Sequence, residues 1–397
     1  MTALSETATQ ATSWTLSENQ QAIGAAVAEG MTKFGLDYWH ECDETATFPH
    51  QFFEFAAAQG WLGVAMPEEY GGAGLGISEA AVMLEGIAKV GGLTASSAIH
   101  MNVFGTNVVV KHGSDQMRRE VLPEVSSGRM KVAFGVTEPN VGLDTTRLKT
   151  KAVRRGGDWV VSGRKVWIST AQIADKILLL TRTSERDPAR KSRGLTLFFT
   201  DLDRSKIDVR EIHKTGRAAV DSNELFIDDL VVPDSHRVGE VDRGFHCLLD
   251  GLNPERILVA SEAIGIGRGA LQMAVSYAKE RIVFDRPIGQ NQGIQFPLAK
   301  VYAELESAWL MAMRGAALYD SGQECGAEAN IAKYLGGEYG FKAADEAMQT
   351  LGGYGYAREY HVERLWREVK LCRIAPVTPQ LILAYLAENK LGLPKSY

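Results

Sequence analysis

The chain changes its hydrophobic period at Phe134-Gly135-Val136-Thr137-Glu138-Pro139-Asn140-Val141-Gly142-Leu143-Asp144. Before this segment, from about Leu16 to Gly128, apolar residues recur at the three- and four-residue spacing of amphipathic helices. From about Val132 to Arg237 the spacing shortens towards two, in short runs bounded by Gly, Asp, Pro and Ser. Such runs are typical of strands in an antiparallel sheet or barrel.

Helical spacing returns after Gly244 and continues to the C-terminus. Three stretches are long enough to form bundle helices of roughly 25–35 residues, namely Phe245–Arg281, Gln292–Leu318 and Ala327–Leu351.

The order of these patterns predicts three domains and an α+β fold that is mostly α. We place a helical domain at residues 1–130, a β domain at 131–240 and a second helical domain at 241–397. The chain has no G-x-G-x-x-G between a strand and a helix, so a Rossmann dinucleotide site is not expected.

The composition limits the possible partners. The 397 residues include 43 Lys and Arg against 49 Asp and Glu, which gives a net charge of −6. A surface that binds a nucleic-acid duplex normally needs a basic excess, so nucleic acid is not an expected partner. No apolar run approaches the roughly 20 residues that span a bilayer, so no membrane association is expected either.

The cysteines and the N-terminus indicate the compartment. The first basic residue is Lys33, so we expect neither a secretory signal nor a transit peptide, and Met1–Trp14 resembles a short polar tail. The four cysteines are too few and too dispersed for a disulfide framework or a metal site: Cys42, Cys247, Cys325 and Cys372. We therefore expect a cytoplasmic protein without a metal ion.

Five motifs occur in order along the chain. They are Pro67-Glu68-Glu69-Tyr70-Gly71-Gly72, the segment Phe134–Asp144, Lys165-Val166-Trp167-Ile168-Ser169-Thr170, Arg281-x-x-Phe284 with Gln292, and Gln349-Thr350-Leu351-Gly352-Gly353-Tyr354-Gly355-Tyr356. In order and spacing they resemble the acyl-CoA dehydrogenase family over nearly the whole chain. The resemblance implies a helical domain, a β-barrel domain and a C-terminal four-helix bundle. It also implies bound FAD, an acyl-CoA substrate, an electron-transfer flavoprotein as oxidant, and a homotetramer or homodimer.

The resemblance assigns one group of residues to the flavin ring. Trp167 can stack on the ring, and the Ser169 hydroxyl can hydrogen-bond its edge. The alternative for Trp167 is a strand residue that fills the barrel core. Further flavin contacts are implied for Phe134, Val136, Thr137 and Gly142. Leu143 departs from the family, which usually has a serine there.

A second group of residues is assigned to the dinucleotide. The Arg281 guanidinium suits the pyrophosphate, and glycine at 352 and 353 lets the backbone approach closely. The alternative for Arg281 is a solvated arginine at a helix end; for Phe284 and Gln292 it is packing within the bundle. In the family these elements contact FAD of a neighbouring subunit, so the resemblance implies an oligomer. The full set is Arg281, Phe284, Gln292, Gln349, Gly352 and Gly353.

The catalytic base does not stand where most of the family has it. The usual glutamate position is Pro376, although Thr378 and Gln380 are retained as FAD contacts by resemblance. The isovaleryl and long-chain branches place their glutamate just before an arginine on the first bundle helix, where this chain has Glu255 and Arg256. Helical spacing puts Glu255 on the same face as Leu248, Leu252 and Val259, and an apolar face raises the pKa of a carboxyl. The alternative is a helix glutamate paired with a lysine or arginine.

Pro376 also lacks the N–H that helps the family to polarise the thioester carbonyl. Either another amide serves, or the FAD ribityl hydroxyl acts alone, or the reaction is not ordinary dehydrogenation. By resemblance, Phe245 and Arg256 match positions near the bound CoA ester, and the alternative for Phe245 is packing in the core. The stretch Lys214–Ser222 lacks the family's arginine and serine at positions 218 and 220, and we assign it no chemistry.

The favoured function is FAD-dependent α,β-dehydrogenation of an acyl-CoA to the 2,3-enoyl-CoA, with Glu255 as the base that removes the α-proton. One alternative uses an acyl group tethered to a carrier protein. A second is a flavin monooxygenase or oxidase on the same fold, and a third is a non-catalytic protein that keeps the fold.

Overall fold

The computed structural model describes residues 15–395. The predicted tail at Met1–Trp14 lies outside the described residues. The first region is helical, as predicted, and α1 begins with the capping box of Ser17 and Gln20. Its helices are α1 (Glu18–Met31), α2 (Leu36–Glu44), α3 (His50–Ala58), α4 (Ile77–Phe104), α5 (Asn107–His112) and α6 (Asp115–Ser126).

The middle region is a mixed sheet with the spatial order β6-β7-β3-β2-β4-β5-β8, and β1 pairs with β4 in parallel. Most neighbouring strands are antiparallel. The strands are β1 (Val132–Gly135), β2 (Lys151–Arg155), β3 (Asp158–Ser169), β4 (Lys176–Arg182), β5 (Leu195–Asp201), β6 (Ile207–Glu211), β7 (Ser222–Val232) and β8 (Arg237–Val238).

The predicted β-barrel is wrong, because the sheet does not close. Within residues 15–395, β6 pairs with β7 and β8 pairs with β5, and these two edge strands do not pair with each other. The two halves of the sheet meet at β2 and β4, which share a single register pair, Lys151 with Arg182. A period of two predicts strands, but closure depends on pairing between edges that are distant in sequence.

The C-terminal region is helical, as predicted. Its long helices are α7 (Gly244–Glu280), α8 (Gln292–Asp320) and α9 (Gly326–Leu351), followed by α10 (Val362–Val369) and α11 (Pro379–Asn389). A short hairpin of β9 (Ile282–Val283) and β10 (Arg286–Pro287) separates α7 from α8. Helix α4 packs against α7, and their buried residues belong to shared cores, so the first and last regions form one body.

No helix within residues 15–395 is long and apolar enough to cross a membrane.

Candidate active site

Glu255 lies in the first third of α7 and is 8% exposed. Within residues 15–395 no side chain or backbone group forms a hydrogen bond or ion pair with its carboxyl, so the alternative of a salt-bridged helix glutamate is not observed. Burial raises the pKa of Glu255 to about 7, although the nearby His100 and Arg256 pull it down. A carboxyl with these properties is suited to accept a proton near neutral pH.

His100 and Glu262 form a buried pair beside Glu255. His100 on α4 donates from Nδ1 to Oε1 of Glu262 at 2.8 Å, and both side chains are buried. Burial alone would lower the pKa of His100, but the Glu262 and Glu255 carboxylates raise it above the usual value. Glu262 follows Glu255 by two helical turns, so both carboxyls lie on the same face of α7.

Helix α4 is broken before the part that carries His100. Gly92 has φ +72° and ψ −164°, which interrupts the helix. The new helix start is capped by Glu368, whose carboxylate accepts from the Thr94 N–H at 3.0 Å and from the Thr94 hydroxyl at 2.7 Å. Arg364 donates to the same carboxylate at 3.0 Å. This arrangement fixes the part of α4 that carries Ser97 and His100.

The segments expected to contact the flavin ring lie side by side. The Val166 N–H donates to the Thr137 carbonyl at 3.0 Å. The fully buried Lys165 holds the two segments together, because its Nζ donates to the Val136 carbonyl and to Glu138 Oε1, both at 3.0 Å. The structure therefore brings Val136 and Thr137 together with the end of β3.

Trp167 interrupts the pairing of β3 with β7. It lies at an irregularity in the register, has φ +61° and is 59% exposed. A ring with that exposure does not fill the sheet core, so the alternative interpretation of Trp167 is wrong. Phe134 on β1 is half-buried and packs against Phe104, with ring centroids 5.4 Å apart. Gly142 lies in the loop after β1, where a Cβ would meet no atom within 4 Å.

Arg217 joins the end of β3 to α4. Its Nη2 donates to the hydroxyls of Ser169 and Ser222, both at 3.0 Å, and its Nη1 donates to the Ser97 hydroxyl at 3.2 Å. Ser97 precedes His100 by one helical turn on α4. Arg217 therefore joins Ser169, beside the expected flavin ring, to the part of α4 that also carries His100.

The expected substrate-binding residues lie along the same part of α7. Phe245 is half-buried at the start of the helix, packed against the core beneath the sheet. Arg256 donates to Asn253 Oδ1 at 2.9 Å, and burial lowers the pKa of its guanidinium.

The segment before α11 approaches Glu255 through Lys333. The Lys333 Nζ donates to the Val377 carbonyl at 2.6 Å, and burial lowers the pKa of Lys333 to about 8. Thr378 caps α11 by accepting from the Leu381 N–H at 3.3 Å, and Gln380 lies in the first turn of that helix. These two residues are thus on the Glu255 side of the bundle.

The second expected group lies at the opposite end of α7. A cleft of about 560 Å³ opens there, lined by Arg281, Gly352, Gly353, Tyr354 and neighbouring residues. The Arg281 guanidinium lies 5.8 Å from the centroid of the Tyr354 ring, and a Cβ at either glycine would meet no atom within 4 Å. Phe284 is 94% exposed and Gln292 is also exposed, so neither packs inside the bundle. Gln349 is exposed in the last turn of α9.

The two groups are too far apart to contact the same end of one ligand. Twenty-six helical residues at about 1.5 Å each place Arg281 about 39 Å from Glu255 along the helix axis.

Comparison with known proteins identifies the family of the chain. Three family matches cover the chain: acyl-CoA dehydrogenase, N-terminal domain, at residues 17–129; middle domain, at 133–230; and C-terminal domain, at 242–388. The chain belongs to the acyl-CoA dehydrogenase family. It is therefore an oxidoreductase of a family that dehydrogenates acyl-CoA thioesters with FAD as cofactor.

Individual relatives match over almost the full length. The chain is 36% identical to the acyl-CoA dehydrogenase FadE12 of Mycobacterium tuberculosis, over 97% of this chain and 99% of that protein. It is 31% identical to the caffeyl-CoA reductase-Etf complex subunit CarC of Acetobacterium woodii, over 86% and 89%. The solved complex of glutaryl-coenzyme A dehydrogenase with glutaryl-CoA has a TM-score of 0.92 at 30% identity, over 97% of this chain and 98% of that chain.

The residues at both ends of α7 have side chains and open backbone that fit FAD, the cofactor of the family. An exposed Trp167 and the hydroxyl of Ser169 suit a flavin ring. The buried Arg217 Nε–H, which has no acceptor within residues 15–395, lies in the group that contacts Ser169. The open backbone at Gly352 and Gly353 beside Arg281 suits a pyrophosphate.

Sequence reasoning missed His100, Glu262, Lys333 and Arg217. The seven-residue spacing of Glu255 and Glu262 was the available signal for a second carboxyl on the same helix face. Arg217 stands one position before the place where the family has its arginine, and a motif comparison at fixed positions overlooks such a shift. The pairing of His100 with Glu262 joins residues 162 positions apart, which the sequence pattern does not encode.

Proposed function

We propose that Glu255 is the base of an acyl-CoA dehydrogenase that converts an acyl-CoA to the 2,3-enoyl-CoA. The observation that carries this proposal is the Glu255 carboxyl itself, which is buried, unpaired within residues 15–395 and has a pKa of about 7. Removing a proton from a carbon acid needs a base that water does not stabilise, and burial supplies that condition. With a pKa of about 7, roughly half of the Glu255 carboxyl is still ionised at neutral pH.

The surrounding residues adjust and orient this base. Glu255 accepts the α-proton, and bound FAD supplies the acceptor for the hydride that leaves Cβ. A positive charge on His100 favours the ionised form of Glu255, and the Glu262 carboxylate holds His100 in place and raises its pKa. Phe245 and Arg256 lie on the same part of α7 and are proposed to contact the CoA ester.

The far end of α7 supports a homo-oligomer, either a homotetramer or a homodimer. Its cleft is about 39 Å from Glu255 along the helix, so we propose that it holds the dinucleotide of FAD bound to a neighbouring subunit. Large apolar side chains are exposed around it, as expected for a surface that another subunit covers: Ile282, Phe284, Phe296 and Tyr356.

An electron-transfer flavoprotein is proposed as the oxidant, since one relative is a subunit of an Etf complex.

All four cysteines are free and buried, which supports a reducing compartment such as the cytoplasm.

The test is anaerobic reduction of the bound flavin. The purified protein should show a yellow flavin spectrum, and the spectrum should bleach on mixing with a suitable member of a panel of acyl-CoAs. We expect Glu255→Gln to bind flavin but to lose the bleaching by roughly 100- to 10,000-fold in rate. Glu280→Gln, at the exposed end of α7, is the matched control and should bleach normally. Bleaching that survives in Glu255→Gln would show that another group is the base.

A folded Glu255→Gln protein is expected, because the native carboxyl is itself destabilising. Folding raises the pKa of Glu255 from 4.5 to about 7, so the folded state holds this proton more tightly than the unfolded state does. Stability therefore falls as pH rises from about 4.5 to about 7, and the neutral glutamine removes that loss. At pH 8 the variant should unfold at the same or a higher urea concentration than the wild type.

Pro376 favours a second candidate, a flavin oxidase or monooxygenase on the same fold, because the usual thioester-polarising N–H is missing at this position. This candidate would be supported if the substrate reduces the flavin and air then reoxidises it within the turnover time, with release of hydrogen peroxide. Reoxidation by an electron-transfer flavoprotein, with slow reaction in air, would support the dehydrogenase.

A further inference from the structure

Arg217 is a buried cation whose hydrogen-bond partners are neutral. It is 7% exposed, and its three hydrogen bonds go to the hydroxyls of Ser97, Ser169 and Ser222. These serines belong to α4, the end of β3 and the start of β7, so the guanidinium lies where three elements meet. Its Nε–H is buried and has no acceptor within residues 15–395.

The charges around Arg217 only partly offset its burial. Within the described chain, no carboxylate lies within 4.0 Å of the guanidinium. Burial lowers the pKa of Arg217 from the usual arginine value, and the more distant carboxylates of Asp221, Glu262 and Glu368 oppose that shift. A buried charge without a paired counter-ion is strongly unfavourable, so the site is expected to gain stability when negative charge develops nearby.

The hydrogen bond to Ser169 fixes the direction of that hydroxyl. Arginine has no acceptor, so Ser169 must use an oxygen lone pair to receive the bond from Arg217. The hydroxyl proton of Ser169 is then free to be donated to another group. Ser169 is the residue proposed above to hydrogen-bond the edge of the flavin ring, and Trp167, two residues earlier, is exposed beside it.

We propose that Arg217 is a positioning residue that directs the Ser169 hydroxyl to the flavin and stabilises the reduced flavin with its positive charge. The reduced ring carries more negative charge than the oxidised ring, so a nearby fixed cation favours reduction. Arg217 therefore raises the reduction potential of the bound cofactor. This inference rests on the flavin site proposed above.

The test measures the potential of the substrate-free holoenzyme. Protein and a reference dye are reduced together slowly without oxygen, and the reduced-to-oxidised flavin ratio is read from absorbance at each dye potential. We expect Arg217→Gln to lower this ratio about ten- to a hundred-fold, the size of one charge–charge interaction across several ångströms in a protein. For a two-electron couple this change equals a potential about 30 to 60 mV lower.

Two control variants separate charge from packing. Arg217→Lys keeps the charge and should leave the ratio within about threefold of the wild type. Arg210→Gln removes an exposed arginine of β6, paired with Asp208, and should leave the ratio unchanged. If Arg217→Gln does not retain flavin, the test uses Arg217→Lys instead. A tenfold fall in the reduced-to-oxidised flavin ratio of flavin-loaded Arg217→Lys would overturn the proposal.

A flavin-loaded Arg217→Gln with the wild-type ratio would also overturn it. A wild-type protein that binds no flavin would instead refute the proposed function, so the two failures are distinguishable.

Discussion

The two ends of α7 differ in how much of their site one chain provides. At the Glu255 end one chain provides the groups: Arg217 joins the Ser169 hydroxyl to α4, and His100 of α4 forms a buried pair with Glu262. At the Arg281 end the cleft is open and its neighbour Phe284 is almost fully exposed. We infer that one chain assembles the chemistry of the site but that a second copy completes the binding of the dinucleotide.

The largest expected effect is a loss of stability when Gly92 is changed, at the break in α4 near the buried end of the site. Gly92→Ala should lower the free energy of unfolding by about 3 kcal/mol or more, since φ is positive and the new Cβ would contact Glu368 and Arg364. Urea unfolding measures this loss.

Gly293→Ala is the control, because Gly293 lies in helix α8 and its Cβ would meet nothing within 4 Å. This change should be neutral or stabilise the protein by up to about 1 kcal/mol. Equal stabilities of the two variants would contradict the role given to the α4 break.

The next effect concerns pH. The base must be ionised to accept a proton, so kcat/KM should fall below about pH 7 and approach a tenfold loss for each pH unit, or roughly fifty-fold between pH 7 and pH 5. Steady-state rates with an artificial electron acceptor measure the profile. A flat profile from pH 5 to pH 8 would show that Glu255 does not titrate as the buried carboxyl described here.

A smaller effect is expected at the open end. Arg281→Gln should weaken FAD retention about ten- to a hundred-fold, the usual loss for a charge-assisted hydrogen bond, as measured by the fluorescence of released flavin. The fall of kcat/KM below pH 7 should be unchanged in the remaining holoenzyme, since the charges that shift the pKa of Glu255 are those of His100, Arg256, Glu262 and Lys333. Arg190→Gln, in an exposed loop of the β region, should retain FAD normally. A shifted pH profile in Arg281→Gln would show that the two ends are not independent.

The sequence predicted local structure better than long-range structure. The start of α8 at Gln292 and the end of α9 at Leu351 were correct, because helix spacing and Gly352 are local signals. Whether the sheet closes depends on two edge strands about 30 residues apart in sequence, and no periodicity encodes their separation in space.

The site shows the same limit. Glu255 could be proposed from its place before Arg256 and its apolar helix face. The nearby pair of His100 and Glu262 could not, because it joins α7 to a histidine of α4 that lies beyond the break at Gly92. The position of the Arg217 side chain could not be predicted either, since its backbone has φ +59° in a loop between two strands.

The most direct test of the central claim is removal of the α-proton itself. The anaerobic holoenzyme is incubated with an acyl-CoA deuterated at Cα, and the loss of deuterium to water is followed by mass spectrometry. We predict rapid exchange in the wild type and in Glu280→Gln, and exchange at least a hundred-fold slower in Glu255→Gln. Equal exchange rates in wild type and Glu255→Gln would contradict the account.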